Sequence, residues 1–184
     1  RVDTHQTHLM ALSFSGHLAI LNTGIDPRIV GITTVGAPIQ DFFSAYSKNT
    51  TPLVTQRTLA HLTQQPCHEL DTYMQDWGLL SQNIPHLQIP VHYLQSTLDE
   101  IIPTSETQAL RKIAPKLKVL KISDVHGSPN HMKLVAIWSI ASIFSSFPAR
   151  KKSAFILNYL LKLNLALHQL KGDSSLFLRL RRTQ

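Results

Sequence analysis

The segment Ala11-Leu12-Ser13-Phe14-Ser15-Gly16 stands where a short apolar stretch, Leu9-Met10-Ala11-Leu12, turns at once into a helical pattern through Leu18, Ala19, Ile20 and Leu21. A serine on so abrupt a strand-to-helix turn is held in a strained backbone conformation with its hydroxyl lifted clear. The residues two before and two after it must then be small. Ala11 and Ser15 meet that requirement, in place of the two glycines of the usual Gly-x-Ser-x-Gly pattern. Ser13 is therefore the candidate nucleophile, the plainer alternative being a helix N-cap that satisfies a backbone N–H. The N–H of Phe14, at the positive end of the helix dipole, is the candidate oxyanion donor. Gly16 is expected to relieve crowding between helix and strand.

The surrounding pattern alternates strand and helix. Asn22-Thr23-Gly24 closes the first helix, with Gly24 expected in the left-handed cap conformation. The β-branched run Ile29–Val35 reads as a buried strand, so strand, turn, helix and strand make a parallel βαβ unit. From Pro38 to about Pro90 the strand signal lapses. Asp41–Tyr46, Pro52–Gln64 and His68–Leu80 look like short amphipathic helices, and so long an excursion suggests a cap. Strands are expected again at Val91–Leu94 and Leu117–Ile122, each followed by a helix, around Ser105–Ile113 and His131–Phe144. Ser105 and Gln108 have capping-box spacing.

Each later strand is followed by a loop with a titratable group. After Val91–Leu94 comes Asp99, with Glu100 as the adjacent alternative; after Leu117–Ile122 comes His126, with His131 as the second choice of base. The chain order Ser13, Asp99, His126 suits a nucleophile, the acid that orients the imidazole, and the base that moves the serine proton. His126 is preferred to His131 because it comes just after the strand and a flexible Gly127 follows it.

Charge excludes one class of partner. Up to Pro148 ten basic residues balance ten acidic ones, while the rest of the chain carries eight against one, the whole +7 excess. The basic balance belongs to a tail, and the body has no nucleic-acid signature. That tail, 149–184, is leucine-rich and reads as a basic amphipathic helix, suited to an anionic membrane surface or to a groove on a protein. No uninterrupted apolar run reaches the roughly 18 residues that a spanning helix requires. The lone Cys67 fits a reducing compartment, so a cytoplasmic location is expected. The ten histidines lack a persuasive zinc spacing and are expected to be scattered over the surface, with no metal site.

Taken together, Leu9–Ile20, the run Val30-Gly31-Ile32-Thr33-Thr34-Val35-Gly36-Ala37-Pro38-Ile39-Gln40-Asp41-Phe42-Phe43, the helical insertion, and Ile89-Pro90-Val91 leading to Leu98-Asp99 resemble the FrsA-like esterases over roughly residues 2–146. That bacterial group is related to the fungal hydrolases that shorten polyketide chains. The resemblance implies an α/β fold, the C-terminal half of an α/β-hydrolase. Residues 1–148 would form the core, with a helical cap insertion at about 38–90, and 149–184 the tail. An upstream half, with early strands and a second oxyanion N–H, is expected to lie outside this chain, which alone would be incomplete. The implied activity is that of a serine hydrolase acting through an acyl-serine intermediate, without metal or organic cofactor. Its small-molecule substrate would carry an ester, a thioester or a carbon–carbon bond beside a carbonyl. Phe42, Phe43, Tyr46, Tyr73, Trp77 and Leu79 would shape a pocket for an apolar acyl chain or a polyketide, or else simply pack the cap onto the core. The reading from another class is a non-catalytic binding or regulatory protein that keeps the hydrolase scaffold.

Overall fold

Ile29–Val35 forms the centre of the molecule's sheet because its β-branched side chains suit a pleated surface covered on both faces. The computed structural model describes residues 5–46, 51–82, 84–147, 156, 159 and 160. It divides the chain into two units, Arg1–Asn130 and His131–Gln184. In the first unit four strands, β1 (Thr7–Leu12), β2 (Ile29–Val35), β3 (Val91–Ser96) and β4 (Leu117–Ile122), pair in chain order, all parallel. The register sets Leu12 opposite Val35, Val35 opposite Leu94, and Ser96 opposite Ile122. The C-terminal ends of all four strands therefore share one edge of the sheet, and the loops that leave them can meet there.

Helix α1 (Phe14–Asn22) returns the chain from β1 to β2. Gly16 is required in it, since a Cβ there would collide with Thr34 and Ala37. Its C-terminus differs from the expected left-handed glycine cap. Thr23 stays right-handed, and the amides of Thr23, Gly24 and Asp26 bond the carbonyls of Ile20, Leu21 and Asn22, leaving no need for a reversal at Gly24.

The insertion holds α2 (Asp41–Ser44), α3 (Leu53–Thr63), α4 (Leu70–Tyr73) and a 3-10 turn, Gln75–Trp77. It has its own small core of Phe42, Phe43, Tyr46, Leu59, Leu70 and Met74. The main core joins Ile20 of α1, Ile32 of β2, Val91 and Tyr93 of β3 and Leu110 of α5 (Glu106–Ile113), all at most 1% exposed. Each such side chain contributes about 1.5–3 kcal/mol by leaving water.

Ser105 does not form the expected capping box. It already has helical φ and ψ and its side chain makes no cap bond; the next residue, Glu106, is drawn inward instead. Leu79 N–H donates to the Ile39 carbonyl, joining the two ends of the insertion.

In the second unit α6 (Met132–Ser146) is preceded by a 3-10 turn, Pro129–His131, and His131 is its N-cap residue. Leu134, Val135, Trp138, Ala141 and Ser142, at helical spacing, are buried. The amphipathic tail expected over 149–184 lies outside the described residues except for Ile156, Tyr159 and Leu160. Among the described residues no helix is long and apolar enough to cross a membrane.

Candidate active site

Ser13 stands alone between the end of β1 and the start of α1, with φ 55 and ψ −131. That region is closed to most residues other than glycine, and occupying it costs on the order of 1–3 kcal/mol. Four hydrogen bonds enforce it. Ser13 N–H donates to the Val35 carbonyl at 2.8 Å, Gly16 N–H returns to the Ser13 carbonyl at 2.8 Å, and the Ser15 hydroxyl binds Leu12. In the last, Ser15 Oγ donates to the Leu12 carbonyl at 2.6 Å and accepts Leu12 N–H at 3.0 Å. Ser15 therefore does here what a glycine could not, closing the end of β1 with its hydroxyl.

The loops after β3 and β4 bring Asp99 and His126 to the same strand edge. His126 Nε2 lies 2.9 Å from Ser13 Oγ, and His126 Nδ1 lies 2.8 Å from Asp99 Oδ2 and 3.0 Å from Oδ1. An ionised carboxylate only accepts, so the imidazole proton sits on Nδ1 and leaves Nε2 free to accept from the serine hydroxyl. The Asp99 side chain is 2% exposed and that of His126 18%. Asp99 Oδ1 also accepts the N–H groups of Ile101 and Ile102, both at 2.9 Å. Glu100, the adjacent acid, takes a different part: its Oε2 accepts the main-chain N–H of His126 at 3.3 Å.

The His126 loop is pinned from below. Buried Asp124 accepts from the main chain and the amide side chain of Asn130, at 2.9 and 2.8 Å, and Ser96 Oγ pairs with Ser128 Oγ at 2.8 Å. Phe14 opens α1, so its N–H has no acceptor within the helix and remains available beside Ser13.

Sequence reasoning passes over three residues of this region. Gly36, at the end of β2, has φ 57 and lies directly beneath the His126–Asp99 bond. Glu106, fully buried, accepts three successive main-chain N–H groups, from Gln40 at 2.7 Å, Asp41 at 3.0 Å and Phe42 at 2.7 Å, and so fixes the start of the insertion. Burial pushes its carboxyl upward and those N–H bonds pull it back down. His17 is wholly buried against Phe43 and Phe14, contrary to the expectation of surface histidines; His92 is buried as well. The only hint of Glu106 in the sequence is an acid in a helix's first turn, a place that solvent usually occupies.

The aromatics expected to shape a pocket divide into two groups. Phe42, Phe43, Tyr46 and Leu79 are buried as packing, whereas Trp77 is half-buried and Tyr73 is 40% exposed. The Trp77 ring lies 5.9 Å from Phe14 and 5.7 Å from Tyr73, so a half-open aromatic row begins at the residue next to Ser13. A separate cleft of about 130 Å³, lined in part by Phe42, Tyr46, Glu100 and Ile101, adjoins the loop after Asp99.

No protein-family profile and no curated protein matches the chain. Among solved structures, AbyA5 is 35% identical with a TM-score of 0.76, the match covering 85% of this chain and 48% of that one. A second AbyA5 structure, the wild type, gives 35% identity and a TM-score of 0.77 over 85% and 46%. The fold is that of the α/β-hydrolases. More distant likenesses of the same fold include the metagenome-derived lipolytic enzymes LipS and LipT, 16% identical with a TM-score of 0.53 over 74% of this chain and 64% of that one. Alpha/beta hydrolase domain-containing protein 10 from mouse is 14% identical, with a TM-score of 0.50 over 92% and 64%. The chain spans about half the length of the AbyA5 structures it matches.

Proposed function

We propose that this chain carries the catalytic triad of a serine hydrolase, akin to the FrsA-like esterases, that cleaves an ester, a thioester or a carbon–carbon bond beside a carbonyl. The observation that carries the reading is the unbroken chain of hydrogen bonds from Ser13 through His126 to Asp99, at 2.9 and 2.8 Å. Ser13 Oγ attacks the acyl carbonyl as its proton passes to His126 Nε2. The tetrahedral oxyanion takes the Phe14 N–H, and Asp99 steadies the imidazolium. His126 then returns the proton to the leaving group, an acyl-Ser13 ester remains, and a water activated by the same imidazole hydrolyses it.

The row Phe14, Trp77 and Tyr73 favours an apolar or aromatic acyl portion, which it can cover with ring faces. A cytoplasmic location agrees with a free thiol at Cys67.

The test is reaction with an alkyl fluorophosphonate, which phosphonylates an activated serine. Mass spectrometry is expected to place the adduct on Ser13, and Ser13→Ala and His126→Ala to abolish it. A chain that stays unlabelled while retaining its fold by circular dichroism overturns the proposal in favour of a binding protein built on a hydrolase scaffold.

A further inference from the structure

The three triad residues leave three different strands, β1, β3 and β4, yet each is referenced to the end of the one strand that contributes none of them. Val35, the last residue of β2, accepts the N–H of Ser13 at 2.8 Å. Gly36 follows, tied to β3 by its N–H to the Leu94 carbonyl at 3.0 Å. Ala37 accepts the buried Tyr93 hydroxyl at 2.7 Å, and its Cβ is one of the two groups that force Gly16 to be glycine.

Gly36 is the closest fit of the three. A Cβ on it would lie 3.2 Å from His126 Cε1, 3.4 Å from His126 Nδ1 and 3.3 Å from Asp99 Oδ2, tight enough that the imidazole and the carboxylate would have to give way by a few tenths of an ångström. The His126–Asp99 pair thus rests on bare backbone.

We propose that Gly36 is a positioning residue: it is the floor on which the His126–Asp99 bond is set at the height of Ser13 Oγ. This rests on the serine-hydrolase reading for its catalytic meaning, though not for its geometry. With φ 57, Gly36 also supplies the turn that carries the chain from the sheet into the insertion, so one residue serves both alignment and exit.

Gly127 provides an internal comparison. It too has a positive φ, 78, and it adjoins His126, but a Cβ there would meet nothing nearer than Leu12 Cδ1 at 3.9 Å. Alanine at either position incurs the same kind of backbone strain, and only at 36 does it strike the triad. Gly36→Ala and Gly127→Ala, made in the full chain, are expected to lose similar stability in thermal unfolding. Only Gly36→Ala should then slow the phosphonylation of Ser13, by about tenfold or more, since a small misplacement of reacting groups costs rate steeply. It should also move the NMR resonance of the His126 Nδ1 proton, which Gly127→Ala leaves in place.

Equal labelling rates for the two variants, or an unmoved Nδ1 proton in Gly36→Ala, overturns the proposal. Should Gly36→Ala unfold, the same substitution in a His126→Ala background is expected to regain stability because the struck ring is gone. Failure to regain it refutes the collision. A wild-type chain that takes no label counts against the serine-hydrolase reading, and the Nδ1 resonance then judges the floor by itself.

Discussion

His17 gives the sharpest thermodynamic prediction. It lies on α1 four residues after Ser13, 0% exposed, its ring 4.7 Å from Phe43 and 5.7 Å from Phe14, and its ring nitrogens are buried with the Pro38 carbonyl near them but no well-formed hydrogen bond. Burial pulls its pKa from 6.5 down to about 4, with the Pro38 carbonyl in partial opposition. The unfolded chain therefore takes up a proton at this site below pH 6.5, and the folded chain declines it until about pH 4. More protons bind the unfolded state, so the histidine's contribution is intact above pH 6.5 and is lost as the pH falls toward 4. At pH 5 the loss works out at about 2 kcal/mol, and near pH 4 it approaches roughly 3 kcal/mol. His17→Leu removes the titration and the buried ring nitrogens while keeping an apolar side chain against Phe43. Urea unfolding at pH 7.5 and pH 5 should show the wild type losing about 2 kcal/mol more than His17→Leu, or ~4–8 °C in a thermal scan. His8 and His92, whose pKa values also fall to about 4 through burial, contribute equally to both chains and cancel in the difference. If the two chains lose the same stability on acidification, the reasoning about His17 is wrong.

Glu106→Gln leaves one amide oxygen to serve three N–H groups, so at least one of those from Gln40, Asp41 and Phe42 is stranded in the interior; urea unfolding should show a loss of about 2 kcal/mol. Hydrogen exchange at those three amides should rise at the same time, and unchanged protection would show that Glu106 does not hold the start of α2. Trp77→Ala should slow labelling of Ser13 by an aryl-tailed fluorophosphonate severalfold more than by a short methyl one, and equal slowing would remove Trp77 from the acyl-binding surface.

Much of the architecture is legible in the sequence because it is local. β2 and β4 occupy the stretches Ile29–Val35 and Leu117–Ile122 at which β-branched and apolar side chains cluster. The order of Ser13, Asp99 and His126 is legible for the same reason, each following an apolar run that becomes a strand. What escapes is long-range. Glu106 meets Gln40, Asp41 and Phe42 across 64 to 66 residues, and nothing within its own helix tells a buried carboxylate from a solvated one. Gly36 is visible as a letter in a run, but its reason is a pair of side chains from two other loops. Among the aromatics, periodicity marks all as apolar and does not separate Phe43, sealed in the insertion, from Tyr73, open to solvent. The expected caps at Gly24 and Ser105 fail because tertiary contacts and neighbouring turns satisfy those helix ends by other means.

The backbone at Ser13, with φ 55, sets durability against reactivity at one position. Glycine there would relax the turn and strengthen the fold by a fraction of the ~1–3 kcal/mol that the conformation holds, while removing the hydroxyl altogether. Strain and hydroxyl therefore come together at this turn, and relieving the first through glycine gives up the second.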